Sequence, residues 1–357
     1  MYNNRDTIIL INILGGKKMK KLVIEKMSEI RRNSELESVG KEIVKNGEYA
    51  VLILCGGQAS RFGLEPNMSK GQVDVPLGKY QENIFKLFMK QLKYYVPVVL
   101  MTSKANNVSI QEFFKENNFF DYEKDLVFFV EQTEEEVLDL EGKRMRRDGK
   151  IVKSPNGHGG VYTTLYKSGL IEKLEQNYGI KRMLITNIDN IGCELIDFAF
   201  IGCSQNYDIV GKTVKKLYAG EKVGVFQEKE GKLYVKEYDE ISSEDNESLN
   251  WANINTFIFA VQFLKKAAKV KLPKHYQKKR MFGQMVQKPE TRLFDCFNIA
   301  GESWKIVEVN REDEFIPIKN KEGKIDSLYT AGILYLKKKI KFLNECLKAL
   351  KDNNENI

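Results

Sequence analysis

At 357 residues, with 42% hydrophobic and 30% charged residues, the chain is long enough to bury a large α/β core and has the balance of an ordinary soluble protein. Its formal charge of +8 comes from lysines spread along the whole length and not from a basic-aromatic module, so a solvated surface plus an anion pocket explains it better than a nucleic-acid track. Five scattered cysteines without metal-ligand spacing read as reduced thiols of a cytoplasmic protein, and two histidines exclude a His-rich metal centre.

No run approaches the ~20 apolar residues of a membrane span. The longest, IILINIL, lacks the basic start and small-residue cleavage site of a secretory signal. The LGGKKMKK that follows is what a ribosome-binding site looks like when translated, which makes Met19 the expected initiator and residues 1–18 an upstream artefact. Between Lys21 and Lys45, apolar residues at helical spacing (Val23, Met27 and Ile30, then Leu36, Val39 and Ile43) predict a surface helix or two, stopped at Gly47. A strand at 51–55, a helix around 84–95, a strand at 97–102, a helix around 110–117 and a strand at 126–131 follow. This alternation is the mark of a largely parallel sheet covered on both faces. A helix from Tyr162 to Gln176 leads into RMLITNIDN, whose polar end would open onto a ligand crevice. IVGKTV, VGVFQE, LYVKEY and INTFIFAV predict a later, more antiparallel set, and the basic amphipathic stretch Leu328 to Leu350 a closing helix.

The segment from Val51 to Gly71, VLILCGGQASRFGLEPNMSKG, runs a buried strand straight into a glycine-rich anion cradle. Gly56 and Gly57 let backbone N–H groups approach a ligand, and Arg61 and Lys70 could neutralise a polyphosphate. It is neither a GxGxxG nor a GxxxxGK[ST] loop, so a dinucleotide oxidoreductase lacks its fingerprint. In SPNGHGGVY, three glycines surround His158 ahead of a helix, where backbone donors could face a base, ribose or sugar. Taken singly, each of these segments is also what an ordinary turn looks like.

Their order resembles the sugar-1-phosphate nucleotidyltransferases, in particular the uridylyltransferases that include UDP-N-acetylhexosamine and UDP-glucose pyrophosphorylases, over roughly Val51 to Asn320. The resemblance implies an α/β Rossmann-like sugar nucleotidyltransferase fold with a mixed central sheet and small helical additions at both ends. It implies an extension at 1–46, a catalytic domain at 47–300 and a C-terminal part at 301–357. LCGGQASRFG matches the family's nucleotide loop, assigning Cys55, Gly56 and Gly57 to the nucleotide. LEPNMS makes the approach to Lys70 longer than is usual in the family. Gln132 would read uracil, and Gly157 and His158 would belong to the second nucleotide loop. His158 stands where N-acetylhexosamine enzymes carry asparagine and UDP-glucose enzymes histidine, whereas Gly160 leans the other way.

By the same resemblance, Asp189 of NIDN would hold Mg²⁺, Lys216, Gly224 and Glu237 would face the sugar and its phosphate, and one of Asn253 and Asn255 would contact the hexose. Lys319, in REDEFIPIKN, would enter from the C-terminal part to grip the sugar phosphate. The implied reaction is UTP plus a hexose 1-phosphate giving a UDP-sugar and pyrophosphate, with Arg61 and Lys70 stabilising the leaving group. N-acetylglucosamine or N-acetylgalactosamine 1-phosphate is the favoured acceptor, glucose 1-phosphate or a broad range the alternative. UTP and the sugar phosphate are then the partners, without nucleic acid or membrane, and a monomer is the simplest state. A catalytically silent relative that binds UDP-sugars is the second possibility, motivated by the long approach to Lys70.

Overall fold

The computed structural model describes residues 22–57, 62–65, 67–92, 96–242 and 249–354. Arg61 and the Met19 start therefore lie outside the described residues. The central sheet holds β1 (Ile24–Lys26), β2 (Tyr49–Leu54), β3 (Val98–Thr102), β4 (Val127–Glu131), β5 (Arg182–Asn187), β6 (Ile209–Lys215), β7 (Val225–Lys229), β8 (Lys232–Lys236), β9 (Trp251–Ala260) and β10 (Trp304–Glu308). Its order is β1-β10-β6-β9-β5-β2-β3-β4, with the β7-β8 hairpin attached to β9. Along that path only β9 runs against its neighbours.

The longer helices among the described residues are α1 (Ser34–Lys45), α2 (Ile84–Met89), α3 (Asn107–Glu116), α4 (Val161–Lys167), α5 (Leu170–Tyr178), α6 (Phe198–Cys203), α7 (Val261–Ala267) and α8 (Leu328–Asn354). They cover both faces of the sheet, and β2 shows why its sequence is continuously apolar. Val51 and Ile53 enter a core shared with α1, α2, α3 and α6, while Ala50, Leu52 and Leu54 enter one shared with α4, α5 and α7. On the first face α1 and α6 cross through glycine. A Cβ on Gly40 would stand 1.8 Å from the Phe198 carbonyl oxygen, and one on Gly202 would stand 1.9 Å from that of Leu36.

Two expectations change. Residues expected to begin a helix instead form the edge strand β1, where Ile24 pairs with Ile306 of β10, and helix resumes only in the turn Met27–Ile30 and in α1. The helix expected over 162–176 is two, because Gly169 sits at φ 70° between α4 and α5. The four later segments pair antiparallel with one another as expected, β6 with β9 and β7 with β8 and β9, while on its other side β6 runs parallel to β10 and β10 to β1. The first and last parts of the chain thus add strands to the same sheet as the middle. Among the described residues, no helix is long and apolar enough to cross a membrane.

Candidate active site

β2 and β5 lie side by side and parallel, with Leu54 opposite Asn187, so the glycine loop and the NIDN turn leave the sheet at the same edge. Gly56 is packed too tightly for any side chain: a Cβ there would meet Gln132 Nε2 at 2.2 Å and the Thr102 carbonyl at 2.9 Å. That brings Gln132, just beyond β4, against the loop. Gly57 has open space where a Cβ would point, as a backbone that receives a ligand requires.

The lengthened approach to Lys70 does not carry it away from the loop. Ser69 Oγ donates to the Cys55 carbonyl at 3.2 Å, Asn106 Nδ2 donates to the same oxygen at 3.1 Å, and Ser69 is itself held in a capping box with Gln72. Ser69, just before Lys70, therefore sits beside the start of the glycine loop. Lys70 Nζ then reaches across to the Ile318 carbonyl at 2.8 Å and to Asp189 Oδ2 at 3.3 Å. Both side chains keep some exposure, 19% for Lys70 and 30% for Asp189. The 316–319 segment is stitched to the same turn: Ile318 N–H donates to the Asp189 carbonyl at 2.8 Å, and Asn190 Oδ1 accepts from Ile316 N–H at 2.9 Å. Three motifs distant in sequence meet here.

Lys319 extends from this junction, with its ammonium 3.4 Å from Asp326 Oδ2 and 5.9 Å from the Phe315 ring centre. Asn255 sits at φ 54° where the pairing of β9 with β6 slips, a bulge that turns its side chain toward the end of β5. Its Nδ2 donates to Asn187 Oδ1 at 2.8 Å, and its buried Oδ1 has no partner among the described residues. Asn253 Oδ1 instead accepts from the Asn255 N–H at 2.8 Å. Asn253 N–H donates to the Gly224 carbonyl at 2.8 Å, and a Cβ on Gly224 would stand 3.4 Å from Glu237 Oε1, so these three form one wall. Burial pushes the Glu237 carboxyl up although Arg292 pulls the other way. Lys216 is placed differently: its ammonium donates to the Ala219 carbonyl at 2.6 Å in an exposed turn.

The second glycine loop differs from the open cradle expected of it. Gly159 N–H donates to the Thr291 carbonyl at 3.0 Å and Gly160 N–H to the Gly157 carbonyl at 3.1 Å, so these two donors are already engaged. The glycines serve close packing, since a Cβ on Gly157 or Gly159 would come within 2.5 Å or 2.6 Å of the Thr291 or Arg292 carbonyl oxygen. His158 Nδ1 accepts from the Leu293 N–H at 2.9 Å, which puts the imidazole proton on Nε2. Burial lowers its pKa from 6.5 to about 4. Between those values the unfolded chain binds a proton that the folded one refuses, so stability is complete above 6.5 and falls as the pH drops toward 4. The loss at pH 5 relative to pH 8 should be about 1–2 kcal/mol. Denaturant titrations of the wild type and His158→Asn at both pH values check this, and a variant that keeps the full pH slope refutes it.

Sequence inspection assigned no role to Asn187, although it opens the NIDN motif, to Ser69, which ends LEPNMS, or to Asn106, which lies outside the quoted motifs. It also missed a buried charge network behind the NIDN turn. Arg31 Nη2 lies 2.9, 2.7 and 2.8 Å from carboxylate oxygens of Glu194, Asp197 and Glu314. Lys212, fully buried on β6, pairs with Asp197 at 3.0 Å and with Glu314, while Lys338 meets Glu194 at 3.2 Å. Three carboxylates so close could attract a metal, but the guanidinium and ammonium already neutralise them. Burial opposes the charge on Asp197, yet Lys212 and Arg31 outweigh it and hold the carboxyl at about 2.

Comparisons with known proteins bear on the family and the fold. The family described as UTP–glucose-1-phosphate uridylyltransferase matches residues 12–349. UDP-N-acetylglucosamine pyrophosphorylase of Saccharomyces cerevisiae is 28% identical, with 98% of this chain and 80% of the yeast protein covered. UDP-N-acetylhexosamine pyrophosphorylase-like protein 1 of Homo sapiens is 32% identical, covering 82% of this chain and 64% of the human one. The crystal structure of the uridine diphosphate N-acetylglucosamine pyrophosphorylase from Trypanosoma brucei superposes with a TM-score of 0.80 at 28% identity, over 92% of this chain and 73% of that one. By sequence and by fold, the chain belongs to the UTP–glucose-1-phosphate uridylyltransferase family, the UDP-sugar pyrophosphorylases.

Proposed function

We propose that the protein joins UTP to N-acetylglucosamine 1-phosphate, giving UDP-N-acetylglucosamine and pyrophosphate. The observation that carries this is the junction of Lys70, Asp189 and the 316–319 segment beside the glycine loop, in a chain whose relatives bear that activity in their names. A phosphate oxygen of the sugar phosphate attacks the α-phosphorus, and the bond from that phosphorus to the bridging oxygen of pyrophosphate breaks. No protein nucleophile is needed, and the site's work is alignment and charge neutralisation.

Gly56 and Gly57 would bring backbone against the nucleotide, with Gln132 beside them to hydrogen-bond the base through an amide that both donates and accepts. Lys70 would hold the departing pyrophosphate, joined by Arg61, and Lys319 the sugar phosphate. Gly224 and Glu237 would line the sugar. Of the two asparagines, Asn255 is the better ligand for the hexose, because its orphaned Oδ1 can accept a hydroxyl or amide proton while Asn253 has spent its own. Asp189, a part-exposed carboxylate, suits Mg²⁺, which keeps several waters and takes phosphate oxygens as ligands. When bound, the cation would offset the negative charge of the phosphates. We keep 47–300 as the catalytic unit, completed by Lys319, and place the protein in a reducing cytoplasm where its five thiols stay free.

A panel of sugar 1-phosphates against the four nucleoside triphosphates, read as pyrophosphate release, tests base, sugar and activity together. UTP with N-acetylglucosamine 1-phosphate should lead glucose 1-phosphate by at least about tenfold. Equal turnover of glucose 1-phosphate would overturn the sugar assignment. UDP-sugar binding without pyrophosphate release would make the protein a silent relative.

A further inference from the structure

Arg292 joins the second glycine loop to the sugar wall, its backbone serving one and its side chain the other. The backbone belongs to a short run laid along residues 156–160. Thr291 N–H donates to the Asn156 carbonyl at 2.7 Å, Gly159 N–H to the Thr291 carbonyl at 3.0 Å, and Leu293 N–H to His158 Nδ1 at 2.9 Å. Arg292 N–H itself donates to Asp295 Oδ2 at 2.7 Å, so the side chain leaves from a fixed point. With only 11% of that side chain exposed, the guanidinium reaches a carboxylate oxygen of Glu240 at 2.7 Å, in the turn that follows β8. The turn closes on itself: Glu237 N–H donates to Glu240 Oε2 at 3.3 Å, and Glu240 N–H to the Glu237 carbonyl at 2.9 Å. Glu237 is the carboxylate beside Gly224.

We infer that Arg292 is a positioning residue for the sugar: through Glu240 it clasps the 237–240 turn onto the second glycine loop, and its charge keeps Glu237 an acceptor of sugar hydroxyls. The role rests on the proposed reading of Glu237 as a residue that lines the sugar. Among the described residues, the charged groups acting on the Glu237 carboxyl are Arg292, Asp239 and Glu240. Burial raises its pKa, both acidic neighbours add to the rise, and Arg292 is the cation that opposes it. Protonation would turn one acceptor oxygen into a donor and spoil the match to hydroxyl donors. Loss of Arg292 therefore frees the turn and lets Glu237 take up a proton at higher pH. Loss of Glu240 frees the same turn but removes a like charge, which moves Glu237 the other way. The two changes share a broken clasp and differ in the sign of their pH effect. Glu240 is 43% exposed, so the pair itself adds little to stability.

Calorimetric titrations of UDP and of UDP-N-acetylglucosamine, with initial rates on the sugar 1-phosphate that wild type uses best, test this from about pH 6 to 9. Arg292→Met should weaken UDP-sugar binding and raise the KM for sugar phosphate by about 10–100-fold, the cost of losing a hydrogen bond to a charged acceptor. UDP affinity, kcat and melting should stay close to wild type, and the loss should deepen as the pH falls. Arg292→Lys should recover most of it. Glu240→Ala should raise the same KM without deepening at low pH, and it carries the comparison if Arg292→Met melts early. An unchanged KM in the Arg292 variant, an equal loss of UDP and UDP-sugar affinity, or a loss indifferent to pH overturns the inference. Wild type that binds UDP-sugar but releases no pyrophosphate defeats the proposed reaction alone, because the binding arm still decides the role of Arg292. Wild type that binds neither ligand defeats both.

Discussion

Lys70→Ala should lower the rate of UDP-sugar formation by about 10²–10³, the usual cost of removing one positively charged donor from a developing anion. Lys70 is the one described cation whose ammonium reaches both Asp189 and the backbone of the late motif, so it stands where nucleotide loop and sugar-phosphate segment converge. Its loss should leave the fold nearly intact: the partner carboxylate is 30% exposed and can be hydrated, and such pairs contribute about 0–1 kcal/mol. Rate in both directions should fall alike, because forward and reverse reactions share a transition state. Initial rates of synthesis and pyrophosphorolysis, with a melting curve as control, decide the matter. An alanine variant that works at full speed removes Lys70 from the mechanism.

The opposite separation is expected at Lys212. Replacement by methionine keeps the volume but leaves Asp197 and Glu314 buried with too little positive charge, a change that typically costs about 3–5 kcal/mol. Glu314 is the carboxyl that should respond. Burial already raises its pKa, and Lys212 is the main influence holding it down. In the variant it should take up a proton more readily, so the deficit relative to wild type should narrow as the pH falls below neutrality. Lys212→Met with Glu314→Gln should recover part of the loss at neutral pH. Urea titrations of the three proteins at two pH values provide the measurement. A single variant as stable as wild type would show that the charges do not depend on one another. Activity should suffer too, since the Glu314 carbonyl accepts from Asn190 Nδ2 at 2.9 Å and Asn190 follows Asp189.

The parts of this molecule that were legible in its sequence are those governed by local pattern. β2 and β5 announce themselves as apolar runs because both faces of the central sheet are covered. The edge strand β1 does not, being three residues long with Glu25 and Lys26 in it. Nor does the hairpin of His275–Met281 with Gln284–Glu290, whose strands are mostly polar. The site divides the same way. Lys70 and Asp189 are visible as motif residues, but their meeting spans 119 residues, and the contact from Lys70 to Ile318 spans 248. The tether through Ser69 could not be anticipated either, since its partner is a backbone carbonyl. Lys212 carries no local sign of its role, because Glu314 lies 102 residues further on.

The position of β10 between β6 and β1 has a consequence for how the chain is made. β6 pairs with β10 along one side, yet β10 is translated almost a hundred residues later. Until it emerges from the ribosome, the apolar segment Ile209–Lys215 presents a bare row of backbone donors and acceptors to whatever passes. The nascent protein is thus most vulnerable to clumping late in synthesis, and it is over this interval that a chaperone would do it the most good.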